Sequence, residues 1–242
     1  MRLCGTVRAL CALFVAVATQ YSVGARTLGS AAAVRYKQDN SSDFIVVIVR
    51  HGERFADKSI TGLAPAGLAR ASYIARCASS GQPSSALPFG LPTTVAASTV
   101  RPGESTRPRD TMAPLAAALG VPLNLTVDKE DFKGFAQLVR NSIRPRGSFI
   151  AAWQHSDIPY LLEALGIPNA DQFSKWPTSC DSASWKEPPY ISPSNACYDA
   201  VWQTRFSRSE GGEWTAGPAT SLHEGFGGAA GSPCAQGFKP LP

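Results

Sequence analysis

The chain has 242 residues, with 44% hydrophobic residues and a formal net charge of +5. Twenty-three basic residues against 18 acidic ones is too even a balance to imply a nucleic-acid partner, and no dense run of lysine or arginine supports one. The length is ample for a folded domain with a sizeable core.

At the amino terminus, Arg2 and Arg8 frame the start of an apolar segment over 9–18, followed by polar residues and the small triplet Val23-Gly24-Ala25. This pattern predicts a secretory signal peptide over 1–25. Its apolar core is shorter than the roughly 20 residues a membrane span needs, and no later segment reaches that length. The expectation is an extracellular protein starting near Arg26, with no membrane attachment once the signal is removed. Residues 26–42 are polar and small and read as a flexible leader before a domain over 43–242.

Export gives meaning to Asn40-Ser41-Ser42 and Asn124-Leu125-Thr126, which are acceptor sequons for glycosylation. It also changes the reading of the cysteines. Cys4 and Cys11 leave with the signal, and Cys77, Cys180, Cys197 and Cys234 remain as an even set, which favours disulfides. A zinc site is the rival, but no C-x-x-C pair occurs. Of the three possible pairings, Cys180 with Cys197 is expected because both lie in the same irregular tail.

The fold should begin at Asp43. Phe44 to Val49 is continuously apolar and β-branched, the pattern of a strand covered on both faces. A helix follows from Pro65 to Cys77, with Leu68, Tyr73 and Ile74 available for burial, and then a loop over 78–94 rich in Ser, Pro and Gly. Thr93 to Ser98 reads as a second strand, and Arg109 to Leu119 as a helix with Met112, Leu115, Ala116 and Leu119 on one face, ended by Gly120.

Leu123 to Val127 is a short third strand, Asp131 to Ile143 a helix with Phe132, Phe135, Leu138 and Val139 inward, and Ser148 to Trp153 a fourth strand. Asp157 to Leu165 is the next helix, with Asp157 placed to cap it and Gly166 after its end. This alternation predicts an α/β three-layer sandwich with a largely parallel sheet and helices on both faces, whose ligands sit beyond the carboxyl ends of the strands.

Residues 167–242 read as an irregular, disulfide-tied cap and tail carrying Trp176, Trp185, Trp202 and Trp214, which suit packing better than a ligand cage. Tyr198 to Phe206 reads as an edge strand and His223 as a surface residue. The last 30 or so residues read as disordered.

Two strand ends carry chemistry. Arg50-His51-Gly52-Glu53 puts an imidazole beside a guanidinium where a buried strand should stop, and His155 follows the fourth strand. A neutral imidazole nitrogen can attack phosphorus, while a neighbouring arginine grips phosphate oxygens with a planar fork. Arg107, at a helix start, can reach the same edge and adds backbone N–H groups suited to an anion.

These elements resemble the histidine phosphatase superfamily, the phosphoglycerate mutase-like fold, in the form of a small secreted member. The resemblance covers roughly 43–166. Arg50-His51-Gly52-Glu53 is similar to the family's Arg-His-Gly-Glu motif, Gly62-Leu63-Ala64-Pro65-Ala66-Gly67 to its L-T-P-x-G turn, Arg107 with Thr111 to its R-x-x-x-T element, and Trp153-Gln154-His155 to its second-histidine motif. It implies His51 as nucleophile, Arg50 and Arg107 as phosphate-binding residues and His155 as a donor to phosphoryl oxygens. Arg54 fits the second arginine of the acid-phosphatase branch, where Ala56 stands in place of its proline.

The proton donor departs from the family pattern. The acid-phosphatase branch has His followed directly by Asp, whereas here Ser156 intervenes and Asp157 sits one residue late. The mutase-like branch uses a glutamate after the arginine element, for which Asp128, Glu130 and Asp131 are candidates. Glu130 is preferred, although the run over 128–131 also suits a charged helix start, and Asp157 a helix cap.

The resulting expectation is a secreted phosphomonoester hydrolase with a phosphohistidine intermediate at His51, acting on a small phosphorylated substrate. It needs no cofactor and no metal, because arginines and histidines supply the positive charge. A non-catalytic protein that binds inorganic phosphate or a phosphorylated ligand on the same fold is the alternative. A phosphomutase is a third reading, disfavoured by export. Substrate identity and oligomeric state stay open.

Overall fold

Phe44–Arg50 forms β1, buried along its whole length. It is flanked by two strands, so neither of its edges faces solvent. The computed structural model describes residues 42–178, 180, 197–227, 232–235, 237 and 238. These belong to one compact unit spanning Asn40–Pro242. The expected signal peptide, almost all of the leader, Asn40 and Trp185 lie outside the described residues.

In chain order there follow α1 (Pro65–Ala78), β2 (Thr94–Ala97), α2 (Arg107–Leu119), β3 (Leu123–Asn124), α3 (Phe132–Ser142), β4 (Ser148–Trp153) and α4 (Ile158–Leu165). A short 3-10 turn over Ala170–Phe173 precedes β5 (Ala200–Arg208), β6 (Trp214–Ala216) and β7 (Thr220–His223). The sheet runs β3-β2-β4-β1-β5, and both β6 and β7 pair with the outer edge of β5. The four strands from β3 to β1 are parallel, and β5 is antiparallel to β1.

Successive side chains of a strand point to opposite faces, so β1 serves two cores at once. Phe44, Val46 and Ile48 pack with Phe135 and Val139 of α3 and Leu161 and Leu162 of α4. Ile45, Val47 and Val49 pack on the other face with Ile74 of α1 and Met112 and Leu115 of α2. This is the predicted three-layer α/β sandwich, with helices on both faces of a sheet that is parallel through its middle.

Helix ends follow local chemistry. Gly120 and Gly166 close α2 and α4 in the left-handed conformation, at φ 66° and 75°, where a Cβ would be strained. Asp131 caps α3 by accepting from the Gly134 N–H at 2.8 Å. Asp157 stands at the start of α4 but makes no such bond. Its carboxylate accepts from the Ser156 hydroxyl at 2.9 Å instead, which corrects the expected cap.

Some burial expectations change as well. Leu68 is exposed, because the buried face of α1 is built from Gly67, Arg70, Ala71, Tyr73 and Ile74. The carboxyl-terminal third is more regular than expected, since β5 is an inner strand rather than an edge and β6 and β7 lie in the stretch expected to be disordered. His223 is half-buried in β7, opposite Ala200 of β5, and so is not a free surface residue.

Cys180 bonds Cys197, the expected pair, and Cys77 of α1 bonds Cys234. Trp176 and Trp202 pack in a tilted pair with centroids 4.7 Å apart and Phe173 meets Trp202 edge-on at 5.0 Å, so these rings are packing elements.

Candidate active site

The carboxyl ends of β1 and β4 lie side by side. Arg50 is in register with Trp153, and the His51 N–H donates to the Trp153 carbonyl at 3.0 Å, carrying the ladder one residue beyond the strand. Parallel pairing therefore places His51 beside the turn that carries His155. Each histidine feels the charges gathered at that edge: Arg50, Arg107 and His155 act on His51, and Arg50 and Arg54 act on His155.

The loop after β1 is held from two sides. The Gly52 N–H donates to Thr111 Oγ1 at 2.8 Å, and that hydroxyl donates to the Arg107 carbonyl at 2.8 Å. Thr111, four residues into α2, thus ties the His51 loop to the first turn of the helix that begins with Arg107. On the other side Gly52 and Gly67 meet backbone to backbone. A Cβ at Gly52 would lie 2.9 Å from the Gly67 carbonyl, and one at Gly67 would lie 2.5 Å from the Glu53 carbonyl. Glycine is required in both motifs because α1 crosses the loop at this distance.

Beyond Glu53 the chain doubles back. Arg54 bridges Leu63 in antiparallel fashion, and the Ala64 N–H donates to the Glu53 carbonyl at 2.9 Å. The intervening loop reaches α2, where Arg107 Nη1 donates to the Ile60 carbonyl at 3.3 Å. The half-buried Arg54 acts electrostatically on Arg50, Arg107 and His155. Arg50, Arg54 and Arg107, from β1, the following loop and α2, thus converge with His51 and His155.

The electrostatics of the two histidines suit nucleophilic chemistry. Burial, aided by the surrounding cations, pulls His51 down to about 3, against the opposing bond to the Gly52 carbonyl. His51 Nδ1 lies 2.7 Å from that carbonyl, which can only accept, so Nδ1 carries the proton and Nε2 holds the free lone pair. His155 is pulled down to about 4 by burial and by Arg50 and Arg54. Burial lowers Arg50 to about 10, still charged at neutral pH, and lowers Arg107 as well. The site therefore presents three guanidinium charges and two neutral imidazoles.

The candidate donors sit differently. Glu130 is exposed and lines a polar cavity of about 500 Å³ with Arg101, Glu104, Asp128, Lys129 and Asp131. Asp128 pairs with Arg101, and Asp131 is committed to its helix cap. Burial raises Asp157, and the Glu130 charge raises it further. The groups that act most on His51 and His155 include none of these carboxylates. The loop carrying Glu130 is nevertheless moored close by, since Trp153 Nε1 donates to the Lys129 carbonyl at 2.9 Å.

Motif reading gave no part in the site to two groups of residues, although the segment Tyr198 to Trp202 resembles a late segment of small secreted members of the family. Tyr198 lies with its ring centroid 3.7 Å from the Arg50 guanidinium carbon and 6.2 Å from the His51 ring. No spacing relates it to β1. Behind the site, Arg70 is buried among three carboxylates. It forks onto Glu53 at 2.7 and 3.0 Å, meets Glu224 at 2.5 Å and reaches Asp199 at 3.4 Å. An arginine on the buried face of α1 is the one sequence signal that a buried acid must exist.

No family model matches the chain, and no curated protein matches it. Among solved structures it is similar to a mycobacterial glucosyl-3-phosphoglycerate phosphatase in complex with VO3, at 14% identity and a TM-score of 0.41, over 71% of this chain and 96% of that one. It is also similar to the proposed phosphohistidine phosphatase SixA from Agrobacterium tumefaciens, at 14% identity and a TM-score of 0.39, over 68% of this chain and 91% of that one. Likeness at this level leaves the chemistry to the residues of the site itself.

Proposed function

We propose that the chain is an exported phosphomonoester hydrolase of the histidine phosphatase type, working through a phosphohistidine at His51. One observation carries the reading: a buried, neutral His51 whose Nδ1 is fixed by the Gly52 carbonyl, leaving Nε2 as lone-pair donor among three arginines. Nε2 attacks phosphorus in line, the N–P bond forming as the ester P–O bond breaks. Arg50, Arg54 and Arg107, with an N–H of His155, surround the equatorial oxygens on which transition-state charge resides.

The leaving oxygen takes a proton from a carboxylic acid, which we assign to Glu130 on the loop moored to Trp153. Water then attacks phosphohistidine, the same carboxylate accepts the water's proton, and inorganic phosphate departs. Export is part of the proposal, supported by the amino-terminal pattern and by the two disulfides.

Acid-labile radiolabel trapped on the protein from a labelled phosphomonoester is the direct test. His51→Ala should abolish both label and turnover, while Glu130→Gln should slow alkyl esters at least tenfold and spare aryl esters with good leaving groups. Turnover by His51→Ala equal to that of the unmodified chain would sink the nucleophile assignment. The exposure of Glu130 favours a second reading, a protein that binds phosphate groups without turning them over; phosphate binding with no label and no hydrolysis would support that reading instead.

A further inference from the structure

Tyr198 belongs to none of the motifs that point to phosphate chemistry, yet it touches the site from the opposite end of the chain. The Arg50 guanidinium carbon lies over its ring, 3.7 Å from the centroid, and His51 meets the ring edge-on at 6.2 Å. Tyr198 is itself 2% exposed and directly follows Cys197, which is bonded to Cys180 and whose carbonyl accepts from Trp176 Nε1 at 2.6 Å. A disulfide, a buried hydrogen bond and the start of β5 thus fix where the ring stands.

We propose that Tyr198 is a positioning residue for anion binding, holding the Arg50 guanidinium flat so that its N–H rim is presented to the phosphate oxygens. The inference rests on the phosphatase reading and gives a part to a residue that reading leaves idle. A guanidinium has two faces without hydrogens and a rim with five donors, so a ring on one face fixes the plane without consuming a donor. A carboxylate in the same place would fix the arginine too, but would neutralise its charge and occupy its rim. The nearest acid in sequence, Glu53, is kept from doing so by its fork onto Arg70. An arginine held in this way spends little of its rotamer freedom when the anion arrives.

The test is the affinity of the full chain, produced in a secreting host, for orthovanadate and inorganic phosphate by calorimetry. Tyr198→Leu should weaken vanadate binding about tenfold, while Tyr198→Phe, which keeps the ring, should stay within about twofold of the unmodified chain. In an Arg50→Ala background the same Tyr198→Leu change should cost about twofold or less, because its effect passes through Arg50. Tyr198→Met, similar in bulk but without a π face, replaces the leucine variant if that one does not fold.

Unaltered affinity in both apolar variants overturns the proposal, as does a tenfold loss that persists without Arg50. Vanadate bound by the unmodified chain without hydrolysis of any phosphomonoester would sink the hydrolase reading and leave the role of Tyr198 standing. No binding of either anion by the unmodified chain would overturn both.

Discussion

A histidine's environment decides which pH range it can serve, and His51 is set far from the ordinary 6.5. Burial and three neighbouring cationic or imidazole groups hold it neutral down to about 3, and His155 down to about 4. For a base with a depressed value the neutral form persists above that value, so acidification through pH 6 should not protonate His51. The acid side of the kcat/KM profile is therefore expected to lack a limb at pH 6 to 7 and to fall only near pH 4, as checked with a phosphomonoester between pH 3.5 and 8. A limb centred near 6.5 would mean that His51 is solvated and normal. That Arg50, His51, Arg107 and His155 gather at one sheet edge was legible from the sequence because each sits at or just after a strand end or at a helix start, whereas Arg54, in the loop after β1, was reached only through the motif resemblance. The place of Tyr198 in the site was not legible, because its relation to Arg50 exists only once β5 is laid against β1.

Elements reach the site through a few backbone contacts, and Thr111 makes the most exposed of these to mutation. Thr111→Val keeps the shape of the side chain but leaves the buried Gly52 N–H without its acceptor. Such a loss typically costs about 1–3 kcal/mol. The expected outcome in urea unfolding is a lower midpoint with an unchanged slope, together with weaker phosphate binding, and Thr111→Ser should restore much of both. The helices and the four parallel strands were readable because their apolar periods are clear and glycines mark two helix ends. β5 was misjudged as an edge because its burial alternates only after Trp202, and an antiparallel strand closing a parallel sheet leaves no mark in its own residues. Gly52 and Gly67 stood out as motif residues, but their mutual contact is set by how α1 crosses the loop.

At the scale of the whole molecule, the chain's two distant parts meet in the charge cluster behind the site. One guanidinium, Arg70, cannot neutralise Glu53, Asp199 and Glu224 together, and Glu224 Oε1 is buried without a hydrogen-bond partner among the described residues. Burial raises Glu224 from its ordinary 4.5 to about 8, and Asp199 from 3.8 to about 6. An acid raised on folding contributes stability below its ordinary value and loses it as pH rises through the folded value, so Glu224 weakens the fold between about 4.5 and 8. The three histidines, all depressed by burial, act oppositely: His51 and His155 lose stability as pH falls from 6.5 through about 3 and 4, and His223 acts in the same direction. Thermal unfolding is expected to be highest near pH 6.5 and to drop by pH 8.5. Glu224→Gln should abolish the alkaline drop and raise the midpoint at pH 8.5 by at least about 3 °C; an equal drop in both proteins would place the alkaline loss elsewhere.

The position of β5 has a consequence for the order in which the chain is made. Val46 of β1 pairs with Thr204 of β5, so the most apolar strand keeps one open edge until Ala200–Arg208 has emerged, more than 150 residues later. Open strand edges recruit other chains. During synthesis, the nascent chain thus carries an adhesive seam that only β5 can seal. A truncated product ending before Ala200 would stay adhesive.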